Sequence, residues 1–271
     1  MLGSRAVLIA VCLPLAACGN GLGEAAGDFD PVEPGALTVV TEPLPTQGFW
    51  EGSGTSPTGG FEYEMSLELA DRLGLDGVQV KTADFSQIVS GDLGDADVAM
   101  ALITPTEDRD ELLDFSDPYV HAAPALVVRE GTDVPDVETA QELSWALGRG
   151  TTFEDIVREL IDPDEAPQLY DRQDDELRAV KDGDADVAMF DLPAAEAIVR
   201  ADPDLEIAAK LEDAEPIAVA LPEGSDNTEA VSSALRAMKA DGTLDALAEE
   251  SLGVSLTDSA AGVPVLRTGG P

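Results

Sequence analysis

Apolar residues along this chain fall into short blocks of two kinds. One kind is a compact run of four or five, bounded by Gly, Asp or Pro, at residues 37–41, 78–82, 97–101, 125–129, 144–147, 187–191 and 217–221. Runs this short predict buried strands. The other kind is a stripe at helical spacing: Phe61, Met65, Leu69 and Leu73 recur every fourth residue, with Glu62, Glu64, Glu68 and Asp71 outside the stripe. That pattern predicts an amphipathic helix. Further helices are expected over 153–161, 174–181 and 194–200, and Val231, Leu235 and Met238 mark another, closed by Gly242 as a stop. Strands alternating with helices are the mark of open α/β sheets. Residues after about 255 read as a loose tail.

One block occurs twice. Gly94-Asp95-Ala96-Asp97-Val98-Ala99-Met100 recurs as Gly183-Asp184-Ala185-Asp186-Val187-Ala188-Met189, 89 positions later. Each copy follows a helical pattern and precedes a polar residue and a proline, Thr104-Pro105 in the first and Asp191-Leu192-Pro193 in the second. Two α/β lobes of similar design are the economical reading. Ligands of such sheets bind beyond the carboxyl ends of the strands. If the lobes face each other, Leu102-Ile103-Thr104 and Phe190-Asp191 line one cleft.

Candidate chemistry gathers at those strand ends. Arg109, one of 11 arginines, stands beside Thr104 and Thr106 and offers a planar fork for a carboxylate. Gly150-Thr151-Thr152 precedes a helix, whose backbone N–H groups also favour an anion. Asp191 is placed to receive a cation. Taken singly, each has a plainer reading: Arg109 as a surface ion-pair partner, Thr151, Thr152 or Asp191 as helix caps, and Phe85 as core. Together they suit an α-amino acid zwitterion.

The N-terminus and the charge narrow the setting. Arg5 precedes an apolar run over 6–17, too short to span a bilayer but suited to an export signal. Leu15-Ala16-Ala17-Cys18 resembles a bacterial lipobox, which implies a signal over 1–17, a lipid on Cys18 and a flexible tether over 18–35. Cys12 would leave with the signal, so no thiol would remain for a disulfide or metal. The chain has 55 Asp plus Glu against 15 Lys plus Arg, a formal net charge of -40. Nucleic acid is excluded as a partner, and an anionic membrane surface is disfavoured. With 44% hydrophobic residues the chain still has enough apolar material for a core. One His and two Cys leave no nucleophilic triad and no zinc motif. Residues 182–186 imitate the start of a calcium loop, but Val187 stands where Gly must turn and Pro193 where the bidentate Glu belongs. No metal or cofactor is implied.

Several ordered motifs now join. Gly60-Phe61-Glu62-Tyr63-Glu64-Met65 with Leu69-Ala70, the segment from Asp97-Val98 through Thr104-Pro105-Thr106-Glu107-Asp108-Arg109, and Asp114-Phe115-Ser116-Asp117-Pro118-Tyr119 come first. Gly150-Thr151-Thr152, Gly183 to Asp191, and Met238-Lys239-Ala240-Asp241-Gly242-Thr243-Leu244-Asp245 follow. In this order they resemble family 3 extracellular solute-binding proteins, the polar amino-acid receptors of ABC importers, over roughly 36 to 253. Tyr63 departs from the family pattern, and Gln47-Gly48 replaces its usual Pro-Pro.

The resemblance implies a two-lobed periplasmic-binding-protein-like fold of the α/β class. Its first lobe is discontinuous, 36–120 plus 218–254, around a second of 125–213, with a tail over 255–271. Two crossings, near 121–124 and 213–216, act as hinge, with His121 beside them. Arg109 and the Thr151/Thr152 region would bind the ligand carboxylate and Asp191 its ammonium. Thr104 would add a hydroxyl and Phe85 would stack on the ligand side chain. Phe49 or Trp50 would form a second aromatic wall. Leu102 sits where a backbone carbonyl meets the ammonium, and Glu42 could contact a basic side chain. The expected protein is a monomeric, lipid-anchored extracytoplasmic receptor delivering a small zwitterion to the membrane subunits of an ABC importer. It is not expected to be an enzyme. The competing readings are a periplasmic enzyme similar to cyclohexadienyl dehydratases and a sensor that presents its ligand.

The charge then takes on a second meaning. Loss of Arg5 with the signal leaves a formal -41, so any ligand anion must be met by local devices inside a repelling field. That field favours neutral or cationic zwitterions, and the acidic surface fits a saline exterior. Screening shortens the self-repulsion to several Å. The melting temperature should therefore rise from low to molar NaCl; a flat profile in a thermal melt would contradict this.

Overall fold

The computed structural model describes residues 29–256 and 262–267; the expected signal, Cys18 and the first part of the tether lie outside the described residues. Lobe 1 opens with β1 (Ala36–Thr41), in which Leu37 to Thr41 are all buried. A small antiparallel ribbon follows, made of β2 (Leu44–Thr46), β3 (Trp50–Gly54) and β4 (Ser56–Gly59). Helix α1 (Phe61–Arg72) buries Phe61, Met65 and Leu69, the stripe visible in the sequence. Glu62 is buried as well, although the periodicity puts it outside that stripe. The lobe continues with β5 (Gly77–Thr82), α2 (Phe85–Val89), β6 (Val98–Ile103), α3 (Glu107–Asp110) and β7 (Leu113–Phe115).

The chain leaves through β8 (Val120–Ala122) and enters lobe 2 at β9 (Pro124–Arg129). There follow α4 (Val137–Gln141), β10 (Trp145–Gly148) and α5 (Phe153–Ile156), which runs on as a π-helical turn over Val157–Ile161. Then come β11 (Gln168–Tyr170), α6 (Gln173–Asp182), β12 (Val187–Asp191), α7 (Leu192–Ala201) and β13 (Leu205–Lys210). It returns to lobe 1 as β14 (Glu215–Pro222), α8 (Thr228–Ala240) and α9 (Thr243–Leu252).

Each lobe is built on one mixed sheet. In lobe 1 the order is β5-β1-β6-β14-β7, with β14 antiparallel to its neighbours; in lobe 2 it is β11-β10-β12-β9-β13, with β9 antiparallel. Lobe 1 is thus discontinuous, because β14, made after lobe 2, fills an inner position of its sheet. The two crossings lie side by side: Ala122 pairs with Glu215 and His121 with Pro216. The hinge is therefore a two-stranded ribbon, and His121 is exposed on it.

The repeated block gives both lobes the same joint. Before β6, the carboxylate of Asp97 accepts the N–H of Thr38 and of Val32, both at 2.7 Å. Before β12, Asp186 accepts the N–H of Ser144 at 3.0 Å and an N–H of Arg129 at 3.1 Å. In each case an Asp ahead of one strand satisfies backbone at the start of its parallel neighbour, fixing the register from which the strand ends project. The recurrence is structural as well as textual.

Two expectations change. Residues 262–267 do not hang loose: Lys210 donates its N–H to the Pro264 carbonyl and Leu266 donates to the Lys210 carbonyl, each at 2.8 Å. β13 is an edge strand with ladder groups to offer, and Leu266 is buried in the lobe 2 core, so pairing and apolar burial dock this segment. Second, Gly242 ends α8 but also opens α9, whose Leu244, Ala248 and Leu252 are buried.

Asp97→Ala strands two backbone donors at a buried position. It should lower the unfolding free energy by about 2 to 3 kcal/mol in urea titration. A loss below about 0.5 kcal/mol would contradict the joint.

Candidate functional site

β6 and β12 both end at the seam between the lobes, and a cavity opens there. Glu42, Phe85, Leu102, Thr104 and Arg109 line it from lobe 1; Thr151, Thr152, Tyr170, Glu176 and Asp191 line it from lobe 2. The lobes touch around it. The Gln47 N–H donates to the Gln173 side chain at 2.8 Å, and a Cβ added to Gly150 would lie 3.3 Å from Ser86 of the other lobe. With φ at +82°, Gly150 also occupies a backbone region that L side chains avoid.

Arg109 is buried, not a surface residue in an ion pair. Its N–H groups donate to the carbonyl of Thr104 at 2.6 Å and, across the seam, to that of Gly150 at 2.8 Å. The guanidinium lies over the Phe85 ring, 5.4 Å from its centre. Burial pushes its pKa down to about 10, against the attraction of Glu215 and then Asp191, so it stays charged at neutral pH. A guanidinium has five N–H donors. Two are engaged here, which leaves three for a ligand.

Asp191 does not cap α7 with its side chain, although it stands at that helix's N-terminus. It is 6% exposed, and its Oδ1 has no hydrogen-bond partner among the described residues. Burial, reinforced by Glu215 and Glu62 and opposed by Arg109, raises its pKa to about 8. A bare, buried carboxylate oxygen is costly unless a donor or cation reaches it. A guanidinium and a carboxylate therefore reach one cavity from opposite lobes.

Leu102 is held in a strained conformation by a hydrogen bond. Its φ of 52° is left-handed, rare for a branched side chain and worth about 1 to 3 kcal/mol. Glu62 secures it: Oε1 accepts the Leu102 N–H at 3.0 Å and the Tyr119 hydroxyl, while Oε2 accepts the Trp50 indole N–H at 2.8 Å. Burial raises the Glu62 pKa, and these donors oppose the rise. The residue that sequence periodicity placed outside the apolar stripe thus organises the end of β6.

The other expected residues divide. Thr104 lines the cavity, and the Thr151 hydroxyl donates to the Gly148 carbonyl at 2.8 Å. The Thr152 hydroxyl donates to Glu215 of the hinge at 2.9 Å. Glu42 stands on the cavity wall, and burial with the nearby Glu62 raises its pKa to about 7. Phe49 and Trp50 do not line the cavity. Phe49 packs edge-on against Phe61 at 5.8 Å, and Trp50 is tied to Glu62 and the Met100 carbonyl, so both belong to the buried apolar core. Aromatic wall comes from lobe 2 instead, from Phe153, Tyr170 and Phe190. Glu176 and Arg172, also on the wall, went unnoticed in the sequence. Glu176 sits three and four residues before the buried Ala179 and Val180, and that spacing was the available signal.

Two lobes, two crossings and a seam cavity lined by polar groups of both lobes define a two-lobed ligand-binding protein. The chain belongs to the bacterial extracellular solute-binding proteins, family 3, matching that family over residues 37–254. It is 27% identical over 203 residues to the L-cystine-binding protein TcyJ of Escherichia coli, covering 73% of this chain and 76% of that one. It is 29% identical over 237 residues to a membrane-bound lytic murein transglycosylase F of Pseudomonas fluorescens, covering 82% of this chain but 47% of that protein. Among solved structures, an ancestral arginine-binding protein bound to arginine aligns with a TM-score of 0.71 and 30% identity, over 80% of this chain and 98% of that one. Among the described residues, no helix is long and apolar enough to cross a membrane.

Glu62→Gln would turn an amide N–H toward the N–H of Leu102 or Trp50. It should destabilise the protein by about 1 to 3 kcal/mol, measured by urea unfolding. An unchanged midpoint would contradict the role given to the Glu62 carboxyl as acceptor.

Proposed function

We propose that this chain is an extracytoplasmic receptor that takes an α-amino acid between its lobes and delivers it to an ABC importer, held at the membrane by a lipid on Cys18. One observation carries the reading: buried Arg109 and buried Asp191, whose Oδ1 has no hydrogen-bond partner among the described residues, line one cavity from opposite lobes. The ligand carboxylate takes the remaining Arg109 donors. The ammonium takes Asp191, with the Leu102 carbonyl beside it. Thr104, Thr151 and Thr152 supply polar wall, and Phe85 supplies an apolar face beneath the Arg109 guanidinium.

A ligand held this way touches both lobes, so binding and closure are linked. No bond is made or broken. The relatives support this reading in kind, because a cystine-binding protein and an arginine-bound structure share the fold. The chain spans about half the length of the transglycosylase it matches.

Calorimetric titration with the twenty amino acids should find at least one ligand. Arg109→Ala should weaken its binding about 30-fold or more, the loss of a desolvated charge pair worth about 2 kcal/mol. No binding by any of the twenty, or an unchanged dissociation constant in the variant, would contradict the proposal.

A further inference from the structure

Arg109 and Asp191 account for the two charges of an α-amino acid and leave another carboxylate in the same wall. Glu176 of α6 is 2% exposed, lines the cavity, and has an Oε1 with no hydrogen-bond partner among the described residues. Gly148 makes room beside it: a Cβ there would lie 3.6 Å from Glu176 Oε2 and 3.0 Å from the Thr151 methyl. From lobe 1, Glu42 lines the same cavity and acts on Glu176 as a like charge.

The neighbouring charges do not cancel this pair. Arg149 is engaged by Asp171 at 2.6 Å. Asp84 is exposed and caps α2 in a reciprocal arrangement with Gln87. Arg172 faces Glu42 and opposes the rise of its pKa, which burial nonetheless carries to about 7. Burial, with Glu42 nearby, also raises the pKa of Glu176 well above the usual carboxylate range. Buried Glu176 and half-buried Glu42 stand against one arginine, so one of the two carboxyl groups has no counterion. A desolvated carboxylate in that state is unfavourable unless it is protonated or paired.

Resting on the amino-acid reading above, we infer that Glu176, with Glu42 from the facing lobe, forms a distal subsite for a cationic side chain. The ligand is then a basic α-amino acid bearing an ammonium or guanidinium group. Its ammonium and carboxylate occupy Asp191 and Arg109, and its second cation completes the orphaned carboxylate. A guanidinium fits this role well, since its fork can engage a carboxylate through two parallel bonds.

The test compares L-arginine with L-citrulline, which replaces the guanidinium by an uncharged urea of nearly the same shape, and adds L-lysine and L-glutamine. Calorimetry on the intact chain should show arginine or lysine binding at least about 30-fold more tightly than citrulline or glutamine, as expected for a buried charge pair. Glu176→Gln should reduce the affinity for the basic ligand about tenfold or more and leave citrulline within about threefold; Glu42→Gln should act in the same direction. Citrulline or glutamine binding as tightly as the basic pair in the unaltered chain would overturn the inference, whether or not the variants fold. So would an unchanged basic-ligand affinity in Glu176→Gln. If a neutral amino acid binds best and its binding still depends on Arg109, only the distal subsite falls. If no amino acid binds, the reading beneath it falls too.

Discussion

The Arg109 guanidinium spans the seam, bonded to the Thr104 carbonyl on its own side and to the Gly150 carbonyl on the other. That charge is buried at the seam, as are Asp191 and Glu176, with Glu42 half-buried in the same wall. The direct contacts between the lobes include polar ones, such as Gln47 to Gln173 and Thr152 to the hinge residue Glu215, beside an apolar cluster that runs through both lobes. They do not neutralise the buried carboxylates. Bringing unpaired charges out of water costs several kcal/mol each, so the closed arrangement favours a partner that supplies the missing charges. Under the proposed function, recognition and closure are one event in which desolvation at the seam takes part.

The rest of the molecule holds those groups in place. Asp97 and Asp186 pin the starts of neighbouring strands in the two lobes. Glu62 fixes the end of β6 and the strained Leu102. Docking of 262–267 along β13 satisfies an edge of lobe 2. The acidic surface stands apart from this machinery. Its charge of -40 sets a background that repels anions, while the site relies on one arginine and a few placed carboxylates.

Much of the fold was legible because its strands are short apolar runs between turn residues. The run at 187–191 coincides with β12, and the repeated block marks the strand ends that frame the cavity. The ribbon β2 to β4 escaped notice because its Gly, Ser, Thr and Pro residues carry no alternation. That ribbon turns Phe49 and Trp50 into the core rather than toward the ligand. Glu62 and Glu176 were missed for a different reason. Glu62 falls outside its helix's apolar stripe, and Glu176 is marked only by its spacing to Ala179 and Val180; tertiary packing shows what each acid meets. The 262–267 segment was too short for any periodic signal, and edge pairing on β13 decided its place.

Solution scattering of the ligand-free chain as a function of pH tests the role of seam charge most directly. Burial raises Glu42 to about 7 and Asp191 to about 8 in this arrangement, so an opened form in which both regain water would hold those protons less tightly. Lowering the pH must therefore shift the population toward closure by linkage. The radius of gyration should fall as the pH drops from about 8 to about 5 without ligand. A radius that is unchanged or grows over that interval, with the fold intact, would contradict the account.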